Sequence, residues 1–306
     1  MQDLGPFVLG GNVFGWTADR DQSFAVLDAF VAQGGIAIDT ADVYSAWIPG
    51  NSGGESETIL GEWIASRGGR EKLWLGTKVF SLEARKGLGA ANIAAAVDDS
   101  LRRLQTDYLD VYYAHRDDLD VPQEEYLGAF DSLVTAGKVR AVGASNFSAD
   151  RLRSAAEITA RESLAPISFA QDHWNLVERD IEAELVPALA ELGITELPYF
   201  SLASGFLTGK YRPGTSVDSA RAQGAGAYLE DPANVRLLEV LDEIAAAHSA
   251  SVTAVSLAWL RAQEVVGAPI ASARTPEQLT ELFQSAAVTL TSEELGRLSA
   301  PGALAA

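Results

Sequence analysis

Four side chains capable of acid–base chemistry lie at or just after the ends of short, apolar, strand-like segments. Asp39 ends one such segment in IDTADVYS (38–45) and Tyr44 lies in the loop after it, while Lys78 in GTKV and His115 in YYAHRDD end the next two. A lysine that ends an apolar strand is costly to bury alone, so we expect the Asp39 carboxylate beside it. Because a nearby ammonium favours phenolate, we expect Lys78 to lower the pKa of Tyr44 from about 10 and make it a usable acid.

Each of these residues also has an ordinary structural interpretation. Asp39 could cap a turn, Tyr44 could pack in a loop, Lys78 could lie on the surface, and His115 could be a hydrogen-bonded interior histidine. The four residues therefore predict a functional site only when they are taken together. If the strands that carry them are parallel, all four lie at one rim, and proton transfer is the chemistry they suit.

Strand-like and helical segments alternate along the whole chain, which predicts a parallel sheet covered by helices. Ile93, Val97, Leu101 and Leu104 show the helical spacing, as do Ile181, Leu185, Leu189 and Leu192. The predicted strands cover residues 7–9, 36–39, 73–78, 109–113, 139–144, 167–171, 195–199 and 265–270. A doubly wound sheet would favour a G-x-G-x-x-G motif, which is absent, so we predict an α/β fold of the (β/α)8 TIM-barrel type.

We expect one domain over residues 1–306, since no linker or internal repeat divides the sequence. Two long loops, Ser45–Gly54 and residues 200 to about 232, follow predicted strands and should form the mouth at the C-terminal face of the barrel.

Composition excludes several classes of protein. The net charge is −19, from 42 acidic and 23 basic residues, which disfavours nucleic acid and anionic membranes as partners. No apolar run is long enough to span a bilayer, and the N-terminus does not resemble a signal peptide, so we expect a soluble, cytoplasmic protein. There is no cysteine, and His115, His173 and His248 are far apart, so we expect no disulfide and no metal. The oligomeric state stays open.

The sequence resembles the aldo-keto reductase superfamily over nearly its whole length. The resemblance rests on GGNVFGW (10–16), IDTADVYS, GTKV (76–79), DYLDVYYAHRDD (107–118), GKVRAVGASNF (137–147), PYFSLASGFLTGKY (198–211) and PIASARTPEQL (269–279), in this order. It implies that Tyr44 is the general acid that protonates a carbonyl oxygen. It also implies that Lys78 and Asp39 tune Tyr44, and that His115 orients the substrate or shares the proton relay.

Amide and hydroxyl groups that could bind a carboxamide follow the fifth and sixth strands, at Ser145, Asn146 and Gln171. By resemblance they fix a nicotinamide, and Tyr199 stacks on its face. The alternative is that Ser145 and Asn146 only turn the chain while Ser148 caps the next helix.

Candidate phosphate ligands follow the seventh and eighth strands. The first group is Leu202, Ser204, Gly205 and Lys210; the second is Ser272, Arg274 and Gln278, at a helix N-terminus suited to anions. Arg221 either joins them or is a solvated loop charge. We expect NADP(H) to be favoured over NAD(H), because only NADP(H) carries a phosphate near Arg274.

Three departures from the family pattern concern cofactor binding and the barrel bottom. Many relatives have Glu-Asn near the adenine, where this chain has Glu281-Leu282, and many have Ser-Pro where it has Phe200-Ser201. The N-terminus is also short for the hairpin that usually plugs the barrel.

We therefore expect an NAD(P)H-dependent carbonyl reductase or alcohol dehydrogenase acting on a small molecule. Trp16, Trp47 and Trp174 suggest an aromatic-lined pocket for a sugar, steroid or aryl carbonyl, although ordinary packing would also explain them. The alternatives are a non-catalytic NADP(H)-binding regulatory subunit, an NAD-dependent alcohol or aldose dehydrogenase of the same fold, and an aldolase that uses Lys78 as a Schiff-base amine.

Overall fold

Eight parallel strands form one sheet within residues 3–218 and 221–300, the part of the chain that the computed structural model describes. The strands are β1 Val8–Gly10, β2 Ala37–Asp39, β3 Trp74–Val79, β4 Val111–Ala114, β5 Val142–Ser145, β6 Ile167–Gln171, β7 Thr195–Glu196 and β8 Ile270–Ala271. Their order, β7-β6-β5-β4-β3-β2-β1-β8, follows the chain except that β8 joins β1. The prediction of a (β/α)8 barrel is confirmed.

The ring is closed at β7 by backbone hydrogen bonds rather than by a regular strand pair. Glu196 N–H donates to Val265 O at 2.8 Å, Gly267 N–H donates to Glu196 O at 2.9 Å, and Ile270 N–H donates to Pro198 O at 2.8 Å. The predicted last strand, residues 265–270, was therefore placed too early. Its first residues bond to β7, and only Ile270–Ala271 pair with β1.

Helices cover the outside of the ring. Those in the described residues are α1 Arg20–Ala32, α2 Glu55–Arg67, α3 Ala90–Leu104, α4 Gln123–Thr135, α5 Ala149–Glu162, α6 Leu185–Leu192, α7 Ala222–Ala227, α8 Pro232–Ala247, α9 Val252–Arg261, α10 Pro276–Gln284 and α11 Ser292–Ser299. The local sequence explains where several of these helices begin. Asp19 and Gln22 form a capping box at α1, and Ser148 and Asp231 cap α5 and α8.

Side-chain alternation along the strands divides the core into two layers. One cluster fills the barrel interior and comprises Leu4, Val8, Ala37, Trp74, Val111, Tyr113, Phe169, Leu197, Ala268 and Ile270; the other, larger cluster lies between strands and helices. Gly143 on β5 is required inside, because a Cβ there would lie 2.2 Å from the Tyr113 ring. Residues 3–7 form no strand ahead of β1, and Leu4 is buried in the interior cluster instead.

The two long loops lie at the C-terminal ends of the strands, as predicted. The loop after β2 is fixed by Ser45 Oγ, which donates to Phe14 O at 2.9 Å, and by Asn51 Nδ2, which donates to Ser45 O at 3.1 Å. The segment after β7 is less irregular than a bare loop, since it contains a 3-10 segment at Ala203–Thr208 as well as α7.

Candidate active site

The ends of β2 and β3 bring a lysine, an aspartate and a tyrosine into direct contact. Lys78 Nζ donates to Asp39 Oδ2 at 2.5 Å, to Thr40 O at 2.8 Å and to Tyr44 Oη at 3.1 Å. The Lys78 and Asp39 side chains are each 2% exposed. Each ammonium proton therefore has an acceptor, which is what allows a lysine to be charged in a buried position.

Asp39 is held from the opposite side of the barrel. Gln171, the last residue of β6, donates from Nε2 to Asp39 Oδ1 at 2.7 Å. Both carboxylate oxygens of Asp39 thus have a partner. The predicted contact of Gln171 with a carboxamide would have to use its remaining amide atoms.

Burial and the neighbouring Lys78 charge shift the pKa of Tyr44 in opposite directions. Burial raises the pKa of its phenol above the ordinary value, and the Lys78 ammonium offsets this only in part. The expectation that Lys78 brings the pKa of Tyr44 below about 10 is wrong, because it neglected the desolvation of the phenol. For Lys78, burial lowers the pKa, but Asp39 and Tyr44 together outweigh it and the pKa lies above the ordinary value. A protonated phenol beside a charged lysine results.

His115, the first residue after β4, lies next to Tyr44 with ring centroids 6.2 Å apart. Burial lowers the pKa of His115 well below its usual value, and the positive charges of Lys78 and Arg116 add to the effect. Its Nδ1 has no hydrogen-bond partner among the described residues. A neutral imidazole can bind a substrate oxygen, but it is a poor store for the transferred proton.

Two of the three predicted pocket tryptophans lie beside this group. Trp16 and Trp47 pack edge to face with centroids 5.6 Å apart, and Trp47, half exposed, also contacts Tyr44 at 6.3 Å. The interpretation of Trp174 was wrong. It is buried in the core against Trp259, and its Nε1 donates to Glu182 at 2.9 Å.

Three of the four predicted nicotinamide contacts, Ser145, Asn146 and Tyr199, form one hydrogen-bonded group of side chains. Tyr199 Oη donates to Asn146 Oδ1 at 2.7 Å. Asn146 Nδ2 donates to Ser145 Oγ at 2.8 Å and to His115 O at 3.2 Å. These side chains are therefore prearranged next to the acid–base group, with Asn146 exposed at the mouth.

The predicted diphosphate loop has the small, left-handed backbone that close approach requires. Ser204 and Gly205 have φ of 56° and 99°, and Leu202 precedes them. Lys210 reaches back over the loop, since a Cβ on Gly205 would lie 3.7 Å from its Nζ. The left-handed backbone of Ser204 is strained, whereas glycine adopts this conformation without steric cost.

Arg221, from the segment after β7, and Arg274, after β8, are close enough to interact electrostatically. Burial and the charge of Arg274 lower the pKa of Arg221, whose guanidinium lies 5.4 Å from the Trp16 ring centroid. Arg221 is thus half-buried rather than a fully solvated loop charge. Two guanidinium groups near the start of a helix are the donor set that a phosphate ester needs, so this region fits a phosphorylated cofactor.

The other residues predicted around this phosphate have partners within the protein. Ser272 Oγ donates to Asn12 Oδ1 at 2.6 Å, and Gln278 Oε1 accepts from Arg274 N–H at 2.8 Å. Glu281 Oε2 accepts from Thr253 Oγ1 at 3.0 Å. Leu282 is buried in the core between strands and helices, so its apolar side chain has a packing role.

Comparison with known proteins assigns the family. The family model described as aldo/keto reductase family matches residues 6–301. The chain belongs to the aldo/keto reductase family. Aldo-keto reductases use nicotinamide cofactors, and the chain is an NAD(P)H-dependent oxidoreductase of the carbonyl-reducing class.

Three relatives illustrate the match. The chain is 32% identical to aldo-keto reductase YhdN of Bacillus subtilis, over 95% of this chain and 86% of the relative. It is 31% identical to norsolorinic acid reductase B of Aspergillus parasiticus, over 96% of this chain and 80% of the relative. It is 29% identical to a putative aryl-alcohol dehydrogenase of Saccharomyces cerevisiae, over 95% of this chain and 81% of the relative.

Two further observations concern the remaining predictions. Among residues 3–218 and 221–300, no three histidine, aspartate or glutamate side chains are grouped to hold a metal ion. In the same part of the chain, no helix combines the length and apolar character needed to cross a membrane.

Sequence reasoning missed three buried carboxyl groups near the site: Asp42, Asp172 and Glu196. The available signal was an acidic residue inside or next to an apolar strand, as in GITELPYF around Glu196. Asn12, the partner of Ser272, carried no comparable signal.

Proposed function

We propose that the protein reduces an aldehyde or ketone to the alcohol, with NADP(H) as the preferred cofactor and one barrel domain over residues 1–306 carrying the site. The observation that supports this most directly is the buried Lys78 ammonium, which bonds to both Asp39 and Tyr44. When bound, the nicotinamide supplies the hydride that the carbonyl carbon accepts. The protein's task is then to deliver one proton to the carbonyl oxygen.

Tyr44 is the proposed donor of that proton. Its phenol O–H donates to the substrate oxygen and becomes phenolate as the proton moves. Lys78, 3.1 Å from the phenol oxygen, stabilises the phenolate because its ammonium is already oriented and already desolvated. Asp39 keeps Lys78 charged and in place, and solvent returns the proton to Tyr44 after product leaves.

His115 is proposed to orient the substrate oxygen from the other side. Its ring contacts Tyr44, and its depressed pKa keeps it neutral at physiological pH. A neutral imidazole N–H can donate to the carbonyl oxygen without competing with Tyr44 for the proton.

The cofactor is proposed to lie across the strand ends. Ser145, Asn146, Gln171 and Tyr199 would hold the nicotinamide; Leu202, Ser204, Gly205 and Lys210 would hold the diphosphate; Arg221, Ser272, Arg274, Gln278 and Glu281 would surround the adenosine end. The positive charges of Arg221 and Arg274, which influence each other, support NADP(H) over NAD(H), because only the former carries a phosphate ester there.

Aryl carbonyls are the substrate class we propose to test first. Trp16 and Trp47 offer an aromatic edge and face next to Tyr44, which suits a flat ring. A relative named as a putative aryl-alcohol dehydrogenase points the same way.

The aldolase alternative is disfavoured by the state of Lys78. A Schiff-base lysine must present a free amine. The ammonium of Lys78 instead makes three hydrogen bonds, and its pKa lies above the ordinary value.

Replacing Tyr44 tests the proposal. We expect Tyr44→Phe to lower kcat by roughly 10²–10⁴-fold while the NADPH dissociation constant is unchanged, since only the proton donor is lost. Tyr108→Phe, at the other end of the barrel against Arg70 and Arg140, is the matched control and should keep full activity. Turnover by Tyr44→Phe within a few-fold of wild type would rule out Tyr44 as the acid. A wild type that binds NADPH but turns over no carbonyl would favour the regulatory-subunit alternative.

A further inference from the structure

Two acidic side chains face each other in a buried position behind the cofactor end of the site. Asp172 follows β6 directly and Glu196 ends β7, and they are 5% and 0% exposed. Asp172 N–H donates to Glu196 Oε1 at 2.8 Å, and Glu196 Oε2 has no hydrogen-bond partner among the described residues. Two buried carboxyl groups this close together disfavour two negative charges, so we expect one of them to keep a proton.

The surroundings supply no positive charge to replace that proton. Among the described residues, no lysine, arginine or histidine forms an ion pair with Asp172 or Glu196. The titratable groups that interact with the pair are Tyr113 on β4 and Tyr199 after β7, both uncharged as phenols. Burial raises the pKa of both acids, and for Glu196 the charge of Asp172 raises it further. A single shared proton is the arrangement expected of such a pair.

This acid pair is joined directly to the predicted nicotinamide contacts. Asp172 Oδ1 accepts from Asn146 N–H at 3.1 Å, and Asp172 O accepts from Tyr199 N–H at 3.0 Å. Asn146 has a left-handed backbone, with φ of 60°, which is strained for a residue other than glycine. Its conformation therefore depends on the bonds that hold it, and one of these comes from Asp172.

We propose that Asp172 and Glu196 are positioning residues that share one proton, and that release of this proton at higher pH weakens binding of the nicotinamide cofactor. Release converts the remaining carboxylic acid to carboxylate and gives the proton to solvent. The two carboxylates then repel each other, and Asp172 moves with the Asn146 and Tyr199 groups bonded to it. The proposal rests on the proposed function, because it takes these two residues as cofactor contacts.

Glu196→Gln removes a titratable carboxyl group but keeps the size and shape of the side chain. The glutamine amide is uncharged at every pH, while its oxygen still accepts from Asp172 N–H. Glu71→Gln, an exposed position just before β3 at the far end of the barrel, is the control. The measurement is the dissociation constant of NADPH, followed by quenching of tryptophan fluorescence across a range of pH. Comparing variants at each pH cancels the titration of the cofactor's own phosphate.

We expect wild-type affinity to fall by about 5-fold or more as the pair loses its proton, the lower end of typical couplings between linked sites. Glu71→Gln should follow the wild type, and Glu196→Gln should remove most of the fall. A fall of the same size in Glu196→Gln, or no difference between the wild type and Glu196→Gln at any pH, would overturn the proposal.

Urea unfolding gives a second readout that needs no cofactor. Because the folded pair keeps a proton that the unfolded chain releases, the wild type should lose stability relative to Glu196→Gln as pH rises above the ordinary carboxyl range. If Glu196→Gln does not fold, Asp172→Asn serves the same comparison. A stability difference independent of pH would refute the shared proton. Failure of the wild type to bind any nicotinamide cofactor, with this stability difference present, would refute the proposed function instead.

Discussion

The Asp39–Lys78 pair allows a quantitative prediction from a double-mutant cycle. Both side chains are 2% exposed, so removing one partner leaves a buried charge with little solvent to compensate it. In Lys78→Met, Asp39 keeps only the bond from Gln171 Nε2; in Asp39→Asn, the buried ammonium loses the negative charge that balances it. Each single variant should lower the free energy of unfolding by about 3–5 kcal/mol.

The double variant should cost less than the sum of the two single variants, because it removes both charges together. We expect a coupling of about 2 kcal/mol, within the range measured for residues in contact. Losses in kcat should also be non-additive, since both residues act through Tyr44. Urea unfolding and steady-state kinetics of all four proteins provide the data. Glu191→Gln breaks the exposed pair with Arg153 and should cost less than about 1 kcal/mol. Additive losses in the cycle would refute the buried charged pair.

Three further predictions concern the cofactor, the protein interior and the pocket. Arg274→Ala should lower the NADPH-to-NADH ratio of kcat/KM by about 10- to 150-fold, from charged hydrogen bonds of ~1.5–3 kcal/mol, and an unchanged ratio would mean that Arg274 does not bind the phosphate. Burial, with the charge of Glu57, raises the pKa of Asp42 to about 8, so the wild type should lose stability relative to Asp42→Asn as pH rises from 3.8 to 8, by up to roughly 5 kcal/mol in urea unfolding. An identical pH dependence in the two proteins would contradict this. Trp47→Ala should raise KM for an aryl aldehyde by about 2- to 10-fold but leave KM for a small aliphatic aldehyde unchanged, whereas equal effects on both would exclude a specific ring contact.

The ring of strands and the meeting of the acid–base residues follow from patterns visible in the sequence. Alternating elements require a parallel sheet, and residues that end parallel strands meet at one rim, so Asp39, Lys78 and His115 could be grouped before the fold was known. The end of the ring was less predictable. Residues 265–270 have a strand-like composition, but their backbone partners change from β7 to β1 along the segment, and composition does not encode that change.

The electrostatic error had a different origin. A sequence indicates which charges come together, but the net pKa of Tyr44 depends on how much water reaches the phenol, and this is a property of the folded surroundings. Trp174 shows the same limit for packing. As an aromatic residue it suggested a pocket lining, whereas in the structure it packs against Trp259 and is buried.

The hydrogen bond from Gln171 to Asp39 joins residues separated by 132 positions, and that from Ser272 to Asn12 joins residues separated by 260. A chain emerging from the ribosome thus carries all four proposed acid–base residues before Gln171, which bonds to Asp39, has been made. Asn12 likewise precedes its partner Ser272 by most of the chain. Lys78 and Asp39 can become buried together only after the second half of the barrel docks, because non-local contacts must first overcome the entropy of closing long loops. Incomplete chains should therefore lack the assembled acid–base group.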